Sequence, residues 1–565
     1  MRRFRKAEVT GSNPVSGSIH VNALRELERC QAEFGAASTE RKLRCLALLS
    51  RSRLRSADEV ARLHESALFL CACPDDEAVL EAARALLARF ARRADLQCFR
   101  DELADSGIDG TPIRFQFFLP TAARLARRCA PALGIDWEAW DQDAHARLDA
   151  LLPLLVRPSE AAALDGGLQA RDWLRRAHAR GEGQGAFLAR RVGELEGSAE
   201  VRAQLWDELD PWLRLEPCPR GPTRTRARAD GLPLHFQRAP LVRERPALAA
   251  AARRAPLSIT RVRGTRAREL VELAQDAMAA RSRDLDAFMH ADARDVRLVD
   301  CGGGLCFAML GVKPAQRLPL ETVHAFLTLR NGVPIGYVLA SAFLGSCEVA
   351  YNVFETWRGA EAAHVYGRVL GMLRALYAAD SFTIDPYQLG DGNAEAIASG
   401  AWWFYQKLGF RPDERATRAL MRRELARGPG ARSSPATLRK LAREPLFWSL
   451  GHKRDDVLGR FPLARVSEAA LRELAREGSE RACEAAALAR LGLRAAPART
   501  PEEREAFERW SPILLALPGV ERWSAAERRS LARVACLKGA VDELHYVRAL
   551  QAQRKLWRAL CALVR

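Results

Sequence analysis

The region that most constrains the fold of this chain of 565 residues runs from residue 347 to residue 412. Its alternating and aromatic positions are typical of strands, and its apolar residues at a spacing of three and four are typical of helices. The predicted elements are, in order, a strand at 348–355, a turn at 356–359, a helix at 360–377, a strand at 381–385 and a helix at 393–408. This order predicts a βαβ-type unit.

The start of the first predicted helix has the character of an anion-binding site. The first backbone N–H groups of a helix have no partner within the helix, and the helix dipole places partial positive charge at the same end. Arg358 and Gly359 form the turn that leads into this end. The sequence therefore predicts that a phosphate group binds at this turn.

The residues of this region resemble the GNAT-type N-acetyltransferase superfamily, which transfers an acyl group from acyl-CoA to an amine. In that family a loop opens the helix that holds the CoA pyrophosphate, with Arg or Gln first, Gly fourth and Gly or Ala last. Here the loop is Arg358-Gly359-Ala360-Glu361-Ala362-Ala363. Asn393 matches an Asn that follows the next strand, and Tyr405-Gln406-Lys407-Leu408-Gly409-Phe410 matches an aromatic helix that ends Tyr-x-x-x-Gly-Phe. The resemblance covers roughly residues 256–425.

The resemblance implies roles for individual residues. Acetyl-CoA would be the acyl donor, and its phosphates would bind the N–H groups of the loop and the Arg358 side chain. The implied cofactor-binding residues are Arg358, Gly359, Ala360, Glu361, Ala362, Ala363 and Asn393. Tyr405 would protonate the leaving thiolate, and its alternative is a core aromatic residue. The base would be Glu348, Asp385 or Tyr387, which lie near the ends of the two strands.

Glu361 stands where the family has its central glycine. A carboxylate beside a pyrophosphate is repulsive unless it points away or is paired with a cation. The sequence offers Arg358 and Arg368 as partners. If Glu361 fills the entrance to the helix instead, we expect no CoA binding.

We predict an α+β multidomain chain whose central sheet is mixed and mainly antiparallel. The hairpin signal Asn331-Gly332 supports this sheet. Helical patterns dominate on both sides of it. The predicted divisions are a disordered or spurious extension at 1–20, an all-helical domain at 21–215, a Pro/Arg-rich linker at 216–255, a GNAT-like domain at 256–427, a linker at 428–434 and a helical domain at 435–565. The extension is suspect because residues 11–14 can be encoded by the T-arm of a tRNA gene.

The net charge of +18 comes mainly from arginine, which outnumbers lysine about tenfold. These arginines are interleaved with acidic residues, so they indicate a solvated surface rather than a nucleic-acid groove, although they do not exclude one. No apolar run reaches the ~18 residues that cross a bilayer. The cysteines and histidines lack zinc-ligand spacing, and reduced thiols in the cytoplasm are the natural interpretation.

The leading hypothesis is an acyl-CoA-dependent N-acyltransferase that acts in a ternary complex on a small-molecule or protein amine. One alternative is a catalytically inactive GNAT-like binding or scaffold protein. A second is an Arg-rich protein associated with nucleic acid. The sequence leaves open the acceptor, the acyl length, the oligomeric state and the role of the helical flanks.

Overall fold

A computed structural model describes residues 14–359, 361–428 and 430–565, with side chains from residue 22 onward. Within these ranges the chain has an α+β fold that divides into two units. Unit 1 contains the described residues up to Leu241 together with Gln275–Leu285 and Asn331–Val333, and unit 2 contains the described residues of Val242–Ala274, Asp286–Arg330 and Pro334–Arg565. The sequence suggested consecutive domains, whereas each unit is assembled from three separated segments of the chain.

Unit 1 is mainly helical. Several of its helices begin after a residue whose side chain accepts a hydrogen bond from a free N–H group of the first turn. At Ser56, for example, the hydroxyl accepts from the Glu59 N–H. Its α-helices are Pro14–Cys30, Ala36–Arg51, Ala57–Ala72, Glu77–Ala88, Ala94–Cys98, Leu119–Arg128, Gln142–Leu155, Ala162–Asp165, Ala170–Ala177, Gln184–Gly193 and Ala199–Leu209, with 3₁₀ turns at Phe90–Arg92, Ala130–Ala132 and Pro158–Glu160. The first helix includes the end of the predicted extension 1–20, and residues 1–13 lie outside the described residues.

The expectation of an all-helical region at 21–215 needs a correction. Three strands of three residues form a small antiparallel sheet with β3 in the centre: β1 (Ile113–Phe115), β2 (Leu133–Ile135) and β3 (Leu213–Leu215). Three residues are too few to show an alternating pattern, and β3 lies far from its partners in the sequence. The inner residues of this sheet belong to the hydrophobic core of unit 1.

Unit 2 is built around a nine-stranded mixed sheet in the order β11-β12-β10-β9-β8-β7-β6-β5-β4. Its strands are β4 (Ser258–Val262), β5 (Ala291–Asp300), β6 (Leu305–Val312), β7 (Thr322–Arg330), β8 (Val333–Phe343), β9 (Ser346–Val353), β10 (Ser381–Ile384), β11 (Arg411–Pro412) and β12 (Leu446–Ser449). β9 and β10 pair in parallel. The antiparallel pairs are β4–β5, β5–β6, β6–β7, β8–β9, β10–β12 and β11–β12. The prediction of a mixed, mainly antiparallel sheet is therefore confirmed.

The predicted turn between β7 and β8 is also confirmed. Asn331 and Gly332 have φ angles of 47° and 80°. A type I′ turn requires positive φ at both central residues, which Asn and Gly tolerate best. This turn joins two strands that are neighbours in the sheet.

The sheet extends past residue 427, where the sequence suggested that this region ends. Helix Arg415–Ala426 follows β11, and β12 comes after this helix and pairs with β10. The other α-helices that lie in or start in this unit are Leu248–Arg253, Gly264–Ala279, Asp286–Met289, Ala362–Tyr377, Pro386–Leu389, Ala394–Ser399, Ala401–Leu408, Pro435–Ala442, Leu463–Glu477, Glu480–Leu491, Pro501–Ala516, Ala525–Leu537, Leu544–Ala552 and Arg554–Leu563, with 3₁₀ turns at Pro314–Gln316, Glu355–Trp357 and Val520–Arg522.

A buried ionic network attaches the C-terminal helices of unit 2 to its sheet. Glu543 lies 2.6 Å from the Lys538 ammonium and 3.2 Å from the Arg317 guanidinium, and all three side chains are at most 2% exposed. The Glu543 N–H donates to Asp295 on β5 at 3.3 Å. Because such charges are costly to bury unless they are paired, this network fixes how the helices dock on the sheet.

Among the described residues, no helix combines the length and the apolar character that a membrane crossing requires.

Candidate functional site

The parallel strands β9 and β10 separate at their carboxyl ends. Ser346, Cys347 and Glu348 pair with residues 381–383 of β10. β10 then ends at Ile384, whereas β9 continues to Val353 with β8 as its partner. The sheet therefore opens on one side of β9 beyond Glu348, and backbone groups on that edge of β9 are left for another partner.

A cleft of about 300 Å³ lies at this opening. One wall is the end of β9, and the others come from the start of helix Ala362–Tyr377 and from the helices that follow β10. The lining residues are Tyr351, Asn352, Val353, Arg358, Ala362, Gln388, Asn393, Glu395, Ala396, Ser399, Ala401, Phe404 and Tyr405. Four of the predicted site residues, Arg358, Ala362, Asn393 and Tyr405, thus meet at one cleft.

The helix that faces this cleft begins at Ala362 and has no side-chain cap at its N-terminus. Its first N–H groups are therefore unsatisfied within the helix and carry the positive end of the dipole. The Tyr351 hydroxyl donates to the Ala362 carbonyl at 3.1 Å and ties this end of the helix to β9. Gly359 and Ala363 do not line the cleft, and Ala360 lies outside the described residues.

Glu361 does not enter the cleft. Its carboxylate accepts from the Val242 N–H at 3.0 Å and lies 3.1 Å from the Arg330 guanidinium. Both side chains of this ion pair are about one-tenth exposed. The prediction that Arg358 or Arg368 pairs with Glu361 is therefore wrong. The partner of the Glu361 carboxylate is Arg330, at the end of β7.

The two arginines proposed as partners of Glu361 have other contacts. Arg368 is buried and donates to the carbonyls of Arg254 and Cys301 at 3.3 Å. Arg358 donates to the Val353 carbonyl at 3.3 Å and forms an ion pair with Glu395. Arg358 and Glu395 both line the cleft. The positive charge of Arg358, which was expected to bind a phosphate, is therefore neutralised by the Glu395 carboxylate inside the cleft.

Tyr405 lies on helix Ala401–Leu408 and is 3% exposed. Its ring packs edge-on against Tyr366, at 5.5 Å between centroids, and against Phe410, at 6.0 Å. Burial raises the pKa of the Tyr405 phenol well above its usual value. A backbone hydrogen bond from Tyr351 lowers this pKa, but its effect is smaller than that of burial. Tyr405 is therefore a core aromatic residue and a cleft residue together, and its hydroxyl remains protonated at neutral pH.

Asn393 caps the helix that follows β10. Its side-chain oxygen accepts from the Ala396 N–H at 3.1 Å. The sequence predicted one continuous helix over 393–408, but Gly400 adopts a left-handed conformation with φ of 68° and divides it in two. This break brings Ser399 and Phe404 to the cleft together with Asn393.

The candidate bases lie outside the cleft lining. Burial, reinforced by the nearby carboxylates of Asp385 and Glu321, raises the pKa of Glu348 to about 7. Ser341, directly across from Glu348 on β8, donates to Glu321 at 3.1 Å. Asp385 instead caps helix Pro386–Leu389 by accepting from the Tyr387 N–H at 2.8 Å. With this raised pKa, the Glu348 carboxylate exchanges a proton near neutral pH.

Sequence reasoning missed several polar residues of the cleft. The Asn352 side-chain oxygen is buried and has no hydrogen-bond partner among the described residues. Gln388 and Ser399 add further hydrogen-bonding groups. Glu395 follows Asn393 by two residues, and an acidic residue in the first turn of a helix is commonplace, so no signal marked it as a cleft residue.

No family model, curated protein or solved structure matches this chain. The cleft offers an uncapped helix N-terminus, one arginine, hydrogen-bonding amides and a phenol, all at an opening in a sheet. This set suits an elongated ligand with an anionic end and amide groups along its length.

Proposed function

We infer that the chain is an acyl-CoA-dependent N-acyltransferase. The observation that carries this proposal is the meeting of Arg358, Ala362, Asn393 and Tyr405 at one cleft beside the opening between β9 and β10. The GNAT resemblance assigns these residues to the acyl donor and to the leaving thiolate. They lie up to 47 residues apart in the sequence, so their convergence is not a consequence of local structure.

The proposed reaction joins an amine to the acyl group of acetyl-CoA. The amine nitrogen attacks the thioester carbonyl carbon, the C–N bond forms, and the C–S bond breaks. The nitrogen loses a proton to a base, and the departing thiolate gains one. The products are an amide and the CoA thiol.

The helix that starts at Ala362 supplies the N–H groups and dipole for the CoA diphosphate. Arg358 reaches the same anion once its ion pair with Glu395 opens. The paired Glu361 carboxylate points away, so it does not oppose this binding. The free edge of β9 and the Asn352 oxygen suit the amide groups of the donor's arm.

Two residues are proposed to move protons. Tyr405 keeps its proton at neutral pH and is positioned in the cleft to donate it to the thiolate. Glu348, with a pKa of about 7, accepts the proton from the amine either directly or through water. Asp385 is the weaker candidate, because it is engaged as a helix cap.

Calorimetric titration of the full chain with acetyl-CoA tests the proposal. We expect saturable binding that Arg358→Ala weakens by about tenfold, as is typical for the loss of a charge-assisted contact. Pantetheine, which lacks the diphosphate, is the matched control ligand, and its binding should be insensitive to this substitution. Absence of heat at millimolar acetyl-CoA refutes the proposal.

A binding or scaffold protein without catalytic activity is the second candidate. It is favoured by the Arg358–Glu395 ion pair, which occupies the cleft in place of an anion. Acetyl-CoA that binds but is not consumed with a panel of amines would support this candidate. Turnover that falls by 10²-fold or more in Tyr405→Phe, with binding preserved, would support the enzyme. The nucleic-acid alternative stays a prediction, and salt-dependent retention on heparin tests it.

A further inference from the structure

Two cysteines of unit 1 lie in direct contact. Cys129 ends helix Leu119–Arg128, where its N–H donates to the Leu125 carbonyl. Cys218 lies three residues after β3, between two prolines. The two sulfur atoms are 2.8 Å apart although the residues are separated by 89 positions. The fold, and not the local sequence, therefore brings these thiols together.

The contact is close enough for bond formation with little rearrangement. A disulfide requires a sulfur–sulfur distance of about 2.05 Å. The sulfurs therefore need to approach by less than about 1 Å from their present separation. Cys129 is held at a helix end, and Cys218 is held by the neighbouring loop, whose carbonyls at Cys218 and Gly221 accept from Arg226 at 3.3 and 3.2 Å.

The two thiols differ in their exposure. Cys129 is 2% exposed, whereas Cys218 is half-buried and lines a hollow of about 10 Å³ together with Gly221 and Arg226. A hollow of this size admits roughly one water-sized molecule. Burial and the adjacent Cys218 thiol raise the pKa of Cys129 to about 12. An oxidant therefore reaches Cys218 first, and Cys129 remains a thiol beside it.

We propose that Cys129 and Cys218 form a reversible disulfide when the protein meets a peroxide. The Cys218 sulfur attacks the peroxide O–O bond, which yields a sulfenic acid at Cys218 and one water from hydrogen peroxide. The Cys129 sulfur then attacks the Cys218 sulfur, the S–O bond breaks, and the departing hydroxide takes the Cys129 thiol proton and leaves as a second water. The two thiols lose two electrons and two protons in total, and the peroxide is reduced. This site is independent of the proposed acyltransferase activity.

The disulfide would join the end of a helix to the segment after β3. It would close a loop of about 90 residues, which restricts the unfolded chain more than the folded one. We therefore expect oxidation to raise the apparent Tm of unit 1 by roughly 5–10 °C. A reducing thiol should return it to the original value.

Peptide mapping of the full-length protein tests this proposal. The reduced protein is treated with hydrogen peroxide, blocked with N-ethylmaleimide and digested with trypsin without reductant. We expect a cross-linked pair of peptides, 129–147 and 215–220, that dithiothreitol separates. Cys98, which is exposed, is the matched control, and Cys98→Ser should leave the cross-link unchanged.

Two outcomes overturn the proposal. One is recovery of both Cys129 and Cys218 as maleimide adducts after peroxide treatment. The other is oxidation of Cys218 to the sulfonic acid, or its linkage to a third cysteine, without the 129–147 partner. Cys218→Ser and Cys129→Ala should each abolish the peroxide-induced rise in Tm. Because the two substitutions lie in different elements, the same loss in both variants separates the missing disulfide from misfolding of a single variant. A persistent rise in both variants also refutes the disulfide.

Discussion

At the scale of single residues, Glu348 is the group whose chemistry depends most on its surroundings. Its pKa of about 7 arises because burial and two neighbouring carboxylates disfavour its charge. In the unfolded chain the pKa returns to about 4.5. At this one site the folded protein therefore binds more protons than the unfolded chain between pH 4.5 and pH 7, so the contribution of Glu348 to stability falls as the pH rises through this interval.

Glu348→Gln should remove this pH dependence. Ionisation of Glu348 costs about 3 kcal/mol of folding free energy at pH 8, which the neutral glutamine avoids. We expect the variant to be more stable than the native chain at pH 8 and similar at pH 5, as measured by denaturant unfolding. The exposed Glu40→Gln is the control and should follow the native pH profile. Native and Glu348→Gln profiles that run parallel would contradict the assignment.

The same residue gives the proposed activity its pH dependence. The base acts only when deprotonated, so kcat/KM should rise with pH through about 7 and become nearly independent of pH above it. Glu348→Gln should lose that inflection together with 10²-fold or more of the rate. A retained inflection near 7 in this variant would assign the base to another group.

Glu395 is the second residue with a measurable effect. It neutralises Arg358 within the cleft, and both side chains are almost half exposed. Glu395→Gln should strengthen binding of acetyl-CoA by about fivefold at low salt, since it frees a cation and removes a like charge. Titration at two salt concentrations checks this, because the gain should shrink as salt rises. Glu468→Gln, on an exposed position outside the cleft, should not change the affinity.

At the scale of elements, helix Ala362–Tyr377 connects the cleft to the core. Glycines on this helix allow close packing against helix Leu248–Arg253 and the residues after it. A Cβ atom on Gly371 would lie 2.3 Å from the Arg254 carbonyl oxygen and 3.0 Å from that of Ala251. Both are backbone atoms, so they cannot move aside without shifting the chain.

Gly371→Ala should therefore destabilise unit 2 by about 1–3 kcal/mol through overpacking. The matched control is Gly193→Ala, since a Cβ atom there meets nothing within 4 Å at the end of another helix. That substitution should leave stability unchanged or raise it slightly. Chemical denaturation of both variants measures the difference, and equal effects would contradict the close packing.

The elements also show what the sequence could predict. The Asn331-Gly332 turn was predicted correctly because a strong local pattern marks it. β12 was missed because it has four residues and is separated from β11 by two helices. The partner of Glu361 was missed for the same reason, since Arg330 is 31 positions away and only the sheet brings it close. Local patterns thus predict elements, and tertiary contacts decide which residues meet.

At the scale of the whole molecule, the ionic network around Glu543 links the C-terminal helices of unit 2 to its sheet. Burial lowers the pKa of Lys538 to about 8, although Glu543 opposes this shift. Removal of the carboxylate would take away the acidic partner of the buried Lys538 ammonium and would leave Arg317 with only the more distant Asp295 carboxylate, at 4.0 Å. Such a charge costs several kcal/mol.

Glu543→Gln should therefore lower the free energy of unfolding by about 3–5 kcal/mol at pH 7. Glu40→Gln breaks an ion pair whose side chains are more than two-thirds exposed and should cost less than about 0.5 kcal/mol. Urea unfolding of the full chain compares the two. A loss below 1 kcal/mol in Glu543→Gln would show that the network contributes little to folding.

The grouping of distant segments within each unit also determines how the chain can be dissected. A fragment that ends at Leu241 lacks Gln275–Leu285 and Asn331–Val333, which complete unit 1, and the remaining fragment carries them without their partners. Cleavage at that boundary therefore yields two fragments, each of which exposes surfaces that are buried within the units of the intact chain. Complementation between co-expressed halves, rather than recovery of independent modules, is the behaviour to expect from such a chain.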